Sequence, residues 1–128
     1  MRLLTEHFVF RWFDRILNIH PSLLPAYKGL QTHERAIEDG VRFTGCTVHF
    51  VRPAMDSGPI ICQAAVPVLQ DDTADVLAER VLEAEHRCYP YALSLGARGK
   101  RAIVNEKVAI NDITELENGL LNPPDSRT

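Results

Sequence analysis

Asn18 and His20 stand two residues apart in the run Ile16-Leu17-Asn18-Ile19-His20, which Pro21 ends. In a strand that spacing puts both on one face and Leu17 and Ile19 on the other. Polar side chains at the carboxyl end of a short apolar strand are costly unless partnered. In open α/β sheets that end is also where ligands bind. Pro21 disfavours helical backbone at His20 and holds it extended. Asp56, in Met55-Asp56-Ser57-Gly58-Pro59, is the second candidate. A carboxylate beside a histidine favours the charged ring and fixes its orientation. An amide, an imidazole and a carboxylate together suit attack of an amine on a carbonyl. Asn18 would donate to the developing oxyanion, His20 would move protons, and Asp56 would tune His20. Each also has a plainer reading: Asn18 and His20 as structural groups satisfied by loops, Asp56 as a turn former.

Glu85 is the third candidate, beside an apolar helical stripe, where a solvated carboxylate is the ordinary explanation. His49 shares a strand face with Thr47 and Val51 and reads as a satisfied, half-buried histidine. His7, His33 and His86 carry no local case for chemistry. No His or Cys stands at metal-ligand spacing from another, so no metal is expected. Ser22, Ser57 and Ser94 lack a nucleophile-elbow context, and no Gly-rich phosphate loop occurs. Cys46, Cys62 and Cys88 are odd in number and far apart in sequence. They read as buried small hydrophobes in a reducing cytosol rather than a disulfide framework.

Those residues need elements to position them. Thr5 caps a short helix running to about Asp14, with Phe8, Val9, Trp12 and Phe13 on one face. The strand at 16–20 follows, then a Pro- and Gly-containing loop over 21–29. A helix from Thr32 stops at Gly40. Strands are expected over 43–51 and 60–68, joined by a turn at 52–59. Thr73 or Asp72 caps a long helix to about Leu95, whose stripe is Leu77, Val81, Ala84 and Cys88. Pro90 inside it predicts a kink or break. Segments 102–104 and 108–110 suit a hairpin. From 111 to 128 the pattern fades into a Pro-containing tail that reads as disordered. Helix and strand alternate early, which predicts an α/β fold with a mixed, mainly parallel sheet flanked by helices. The chain opens directly into a helix, so the sheet is expected to be incomplete on its N-terminal side.

The bulk properties exclude little but exclude it clearly. The 128 residues are 45% hydrophobic and 24% charged, with a formal charge of -3, ordinary values for one globular domain. That balance argues against nucleic acid and against an acidic membrane as partner. No apolar run approaches the roughly 18 residues of a membrane span. Arg2, Glu6 and Arg11 interrupt the start, so no signal peptide is expected and the compartment reads as cytoplasmic.

Asn18-Ile19-His20-Pro21-Ser22-Leu23-Leu24-Pro25 and Asp56-Ser57-Gly58-Pro59-Ile60-Ile61, in that order, resemble the two signatures of the folate-dependent formyltransferases. The resemblance runs over residues 1–110 and implies a Rossmann-like fold whose N-terminal half, with its Gly-Ser-Asn phosphate loop, precedes this segment. Thr47-Val48-His49-Phe50-Val51, Val66-Pro67-Val68 and Glu85-His86 resemble the branch acting on glycinamide ribonucleotide. The resemblance implies transfer of a formyl group from 10-formyltetrahydrofolate to that amine in purine synthesis, with Asn18, His20 and Asp56 catalytic. Met1, Arg2, Leu3 and Leu4 would meet the pterin. Arg52, Pro53, Ala54 and Met55 would close over it, and Phe8, Val9, Ile16 and Val51 would wall it. Leu82, Glu83, Ala84 and Glu85 would meet the nucleotide substrate. Gln31 stands where many relatives carry His or Asp. The alternatives are a deformylase-like hydrolase with the same trio, or a non-catalytic folate-binding fragment. An unpaired sheet edge would favour a homodimer.

Overall fold

A computed structural model describes residues 5–11, 14–111 and 120–124 of the chain. In order these form helix α1 (Glu6–Arg11), strand β1 (Leu17–His20), helix α2 (Thr32–Asp39), strands β2 (Phe43–Phe50) and β3 (Ile60–Pro67), helix α3 (Ala74–Ala97), strands β4 (Arg101–Val104) and β5 (Lys107–Ile110), and the short strand β6 (Leu121–Asn122).

The caps read from the sequence form. Thr5 Oγ1 accepts from Phe8 N at 3.2 Å, opening α1. Thr73 Oγ1 accepts from Val76 N at 3.2 Å, opening α3, which satisfies one of the orphan donors of the first turn. Gly40 closes α2 in the left-handed region, at φ 71°, where a residue without Cβ meets no penalty. α3 runs unbroken through Pro90, so the break expected there does not occur.

Strand order is β1-β2-β3-β6, with β4-β5 as a separate two-stranded sheet. The α/β class stands, but the expectation of a mainly parallel sheet is corrected. Every pairing among the described residues is antiparallel. The segment 51–59 between β2 and β3 is too short for a parallel crossover. The chain also re-enters after α2 beside the His20 end of β1, since His20 pairs with Thr47 and Leu17 with Phe50. The helix therefore sits on a return loop, not a crossover. Part of the C-terminal segment is paired. Leu121 and Asn122 pair with Ala64 and Gln63, and Tyr91 Oη donates to Pro124 O at 2.8 Å. Residues 112–119 and 125–128 lie outside the described residues.

The core lies between α3 and one face of the sheet. Cys46, Val48 and Phe50 of β2 and Cys62, Ala64 and Val66 of β3 meet Leu77, Val81, Ala84, Cys88, Ala92 and Leu95 of α3. The helical stripe returns every three or four residues, and Leu17 and Ile19 extend the sheet side of the core. Val48, Cys62, Leu77 and Val81 show no exposure. β2 is buried from Thr44 to Phe50, so its second face is covered too, and that face carries the polar residues. In the β4–β5 hairpin, Asn105 and Glu106 take φ 52° and 57°, the positive values that a two-residue turn between twisted strands demands.

Candidate active site

Alternation sends Asn18 and His20 to the face of β1 opposite Leu17 and Ile19. The register sets Asn18 opposite His49, His20 opposite Thr47, and Thr47 opposite Gln63. Directly opposed residues share a face, so these polar side chains form one surface, roofed by the loop that follows Pro21. Thr47 Oγ1 donates to Ser22 O at 2.7 Å and accepts from Leu24 N and Gln63 Nε2, each at 3.0 Å. Gln63 Nε2 also donates to Leu24 O at 3.0 Å. Ser22 Oγ donates to Ala26 O at 2.6 Å. A buried, fully partnered network of this kind fixes the loop in one geometry.

The loop in turn fixes His20. His20 Nε2 lies 2.8 Å from Tyr27 O. A carbonyl only accepts, so the neutral ring carries its proton on Nε2. Nδ1 then faces Asp56 Oδ1 at 3.6 Å, with both side chains at most 2% exposed. That separation exceeds a hydrogen bond, and the buried Nδ1 has no hydrogen-bond partner. A proton taken up there would stand directly before a carboxylate. Asp56 is itself aimed by its second oxygen, which accepts from Gly29 N at 2.8 Å.

The turn carrying Asp56 is pressed onto the end of β2. Phe50 N donates to Pro59 O at 2.9 Å, and a Cβ on Gly58 would fall 1.5 Å from Phe50 O. Only glycine permits that approach. At the root of the same turn, Arg52 bridges Asp14 at 2.7 Å and Glu106 at 3.0 Å. These carboxylates hold its guanidinium above its ordinary pKa, Glu106 contributing most.

A cavity of about 650 Å³ opens beside Asn18 and His20, faced by Gly29, Gln31, Thr32 and His33. A second, of about 500 Å³, is lined by Leu82, Glu85, His86, Tyr89 and Pro90, and Ile19 borders both. Burial pushes the Glu85 carboxyl up, against the opposing influence of His86 and His20. Burial also pushes His33 down. Among the described residues no group of three or more His, Cys, Asp or Glu side chains could hold a metal ion, and no helix is long and apolar enough to cross a membrane.

The structure therefore brings Asn18, His20 and Asp56 to one place, with Leu82 and Glu85 close by. Ala84 turns into the core instead, and Glu83 is exposed. Val9 is buried, Phe8 is partly exposed, and Pro53, Ala54 and Met55 are exposed on the turn after β2. Ile16 and Val51 meet through a 2.8 Å backbone bond from Val51 N. Met1, Arg2, Leu3 and Leu4 lie outside the described residues. Sequence reasoning missed the site's polar floor of Thr47, His49 and Gln63. The alternation around Thr47 and His49 marked a face, but nothing local said which strand that face would join.

Comparison with known proteins then decides the family, because residues 1–93 match the formyl transferase family. The chain belongs to it. The trifunctional purine biosynthetic protein adenosine-3 of Gallus gallus is 58% identical over 99 residues, covering 77% of this chain and 10% of that protein. The phosphoribosylglycinamide formyltransferase of Anaplasma phagocytophilum superposes with a TM-score of 0.86 at 50% identity, over 91% of this chain and 57% of that one. A formyltetrahydrofolate deformylase from Pseudomonas syringae pv. tomato gives 0.84 at 26% identity, over 88% of this chain and 38% of that one. This formyl transferase chain thus spans about a tenth of the Gallus gallus protein and little more than half of the Anaplasma phagocytophilum one.

Proposed function

We propose that this chain carries the catalytic centre for transfer of a formyl group from 10-formyltetrahydrofolate to the amine of glycinamide ribonucleotide. The observation that carries the reading is His20, which lines a cavity together with Asn18 while its buried Nδ1, without a hydrogen-bond partner, lies 3.6 Å from Asp56. In that arrangement the amine attacks the formyl carbon and the carbon–nitrogen bond to the folate breaks. Asn18 donates to the formyl oxygen as it gains charge. His20 carries the proton lost by the amine to the departing folate nitrogen, and Asp56 balances the ring while it is charged. The cavity beside Ile19, with Leu82 and Glu85, is the place for the acceptor amine. Ile19 borders both this cavity and the one beside Asn18 and His20, which supports an acceptor bound next to the formyl donor.

The same trio would also serve water as the acceptor, and the fold similarity to a deformylase favours that as the second reading. The higher identity of the transferase relatives favours transfer. The test is a formyl-transfer assay with both substrates, on the protein and on His20→Ala, with formate release followed in parallel. Formylated product that disappears in His20→Ala supports transfer. Formate released without an amine requirement supports hydrolysis. Full activity in His20→Ala would remove this site from the chemistry. Among the described residues β1 is an edge strand, so a homodimer formed by strand addition is also proposed; a monomer by light scattering at high concentration would rule that out.

A further inference from the structure

His49 is among the most buried side chains of the molecule, at 2% exposure, and it takes no part in the proton transfers assigned above. Its two nitrogens are nonetheless committed. Nδ1 lies 2.9 Å from Phe50 O, and the carbonyl can only accept, so the neutral ring carries its hydrogen on Nδ1. Nε2 is left as an acceptor. It lies 3.4 Å from Asn18 Nδ2, which can only donate. These directions agree with each other and with no other neutral tautomer. The backbone adds a reason for the aim. The pairing of β2 with β3 shifts register between Val48 and His49, and irregularities of this kind re-aim the side chain at the bulge. Burial pushes the His49 pKa down, against the Phe50 carbonyl and Asp56, which keeps the accepting lone pair on Nε2.

We infer that His49 is a positioning residue for formyl transfer, accepting a hydrogen bond from the Asn18 carboxamide and so setting the plane and sense in which that amide meets the formyl oxygen. A terminal carboxamide reverses easily about its last torsion. With the amide reversed, Asn18 Oδ1 would face the Nε2 lone pair, acceptor against acceptor. The two N–H bonds of the amide are fixed relative to one another, so holding one aims the other. The order of control runs from the Phe50 carbonyl to the His49 tautomer, and from there to the Asn18 amide. The inference rests on the formyl-transfer reading for its kinetic consequence, but its structural part can be tested without turnover.

The first test is nitrogen NMR on protein labelled with ¹⁵N-histidine, compared with Asn18→Leu. The expected result is a neutral His49 with hydrogen on Nδ1, whose Nε2 resonance moves when Asn18 is replaced. An Nε2–H tautomer, or an Nε2 resonance indifferent to Asn18→Leu, overturns the inference even if the protein proves inactive. The second test is kinetic. His49→Phe, similar in size but without an acceptor, is expected to lower kcat about 10- to 100-fold, a fraction of what losing an oxyanion donor costs, with KM for both substrates within about twofold. His49→Gln offers an acceptor where Nε2 stood and is expected to recover most of that loss. In an Asn18→Ala background His49→Phe should cost less than about twofold more, because the group it positions has gone. Additive losses, or no rescue by Gln, would mean that His49 only fills space. If His49→Phe fails to fold, the Gln variant and the tautomer still decide. Activity retained in His20→Ala would defeat the reading of the site while leaving the tautomer result standing.

Discussion

Replacing Asp56 with Asn removes a charge and changes little else. Asp56 sits at φ 52°, in the left-handed region that Asn also tolerates, and the Asn carbonyl oxygen can keep accepting from Gly29 N. What is lost is the counter-charge 3.6 Å from His20 Nδ1. Two unit charges at that distance attract by about 4–5 kcal/mol at an effective dielectric constant of about 20. In the proposed reaction the ring carries a proton for only part of the cycle, and Tyr27 O continues to hold Nε2, so the rate does not register all of this. Half of it, about 2 kcal/mol, is about a 30-fold loss in kcat, and the whole is about 2,000-fold. Steady-state formyl transfer by Asp56→Asn should therefore fall within that window, with an unchanged melting temperature as the control for folding. Asp56→Ala should lose more, because Gly29 N then has no side-chain acceptor and the left-handed backbone is less tolerated. A folded Asp56→Asn with kcat within about threefold of wild type would refute the claim that Asp56 acts through its charge.

Other perturbations test other parts of the structure. Asp72 is pushed down to about 2, chiefly by hydrogen bonds from Arg80 and then by Leu69 N. Its contribution is present above the ordinary Asp range and is lost as pH falls toward 2, so wild type and Asp72→Asn should converge in melting temperature at the acid end and separate by pH 6. Burial raises Glu85, so its charged form costs stability as pH climbs past the ordinary Glu range. Glu85→Gln should melt higher than wild type at neutral pH while raising KM for the amine substrate; a lower melting temperature would contradict the burial argument. Leu77, with no exposure, lies between α3 and the sheet, and Leu77→Ala should cost about 3 kcal/mol in a denaturant titration.

What could be read in advance was what depends on neighbours in sequence. The caps at Thr5 and Thr73, the stop at Gly40 and the stripe Leu77-Val81-Ala84-Cys88 all follow from spacing within one element, and each is present. The shared face of Asn18 and His20 was legible because residues two apart in a strand point the same way, and the pairing of β1 with β2 keeps them there. Strand direction was not legible, since alternation of helix and strand does not say at which end of β1 the chain returns. The place of His49 opposite Asn18 was hidden for the same reason, because it is a property of register. The Tyr27 carbonyl could not have been found at all, because a backbone acceptor leaves no mark on residue type. Leu121 and Asn122 form β6 through an edge that β3 supplies, and two residues carry no periodicity of their own.

Gly58 draws these parts into a single mechanical constraint. The carbonyl that Gly58 approaches at the distance of a missing side chain is Phe50 O, the same oxygen that accepts from His49 Nδ1. A methyl group at position 58 would push on that oxygen, disturb the His49 ring, and be felt at Asn18 on another strand. The turn carrying the carboxylate and the strand carrying the amide therefore share one fulcrum. Transplanting Asn18, His20 and Asp56 alone onto another sheet would move the three candidate groups and leave behind the hinge pin that keeps them in step.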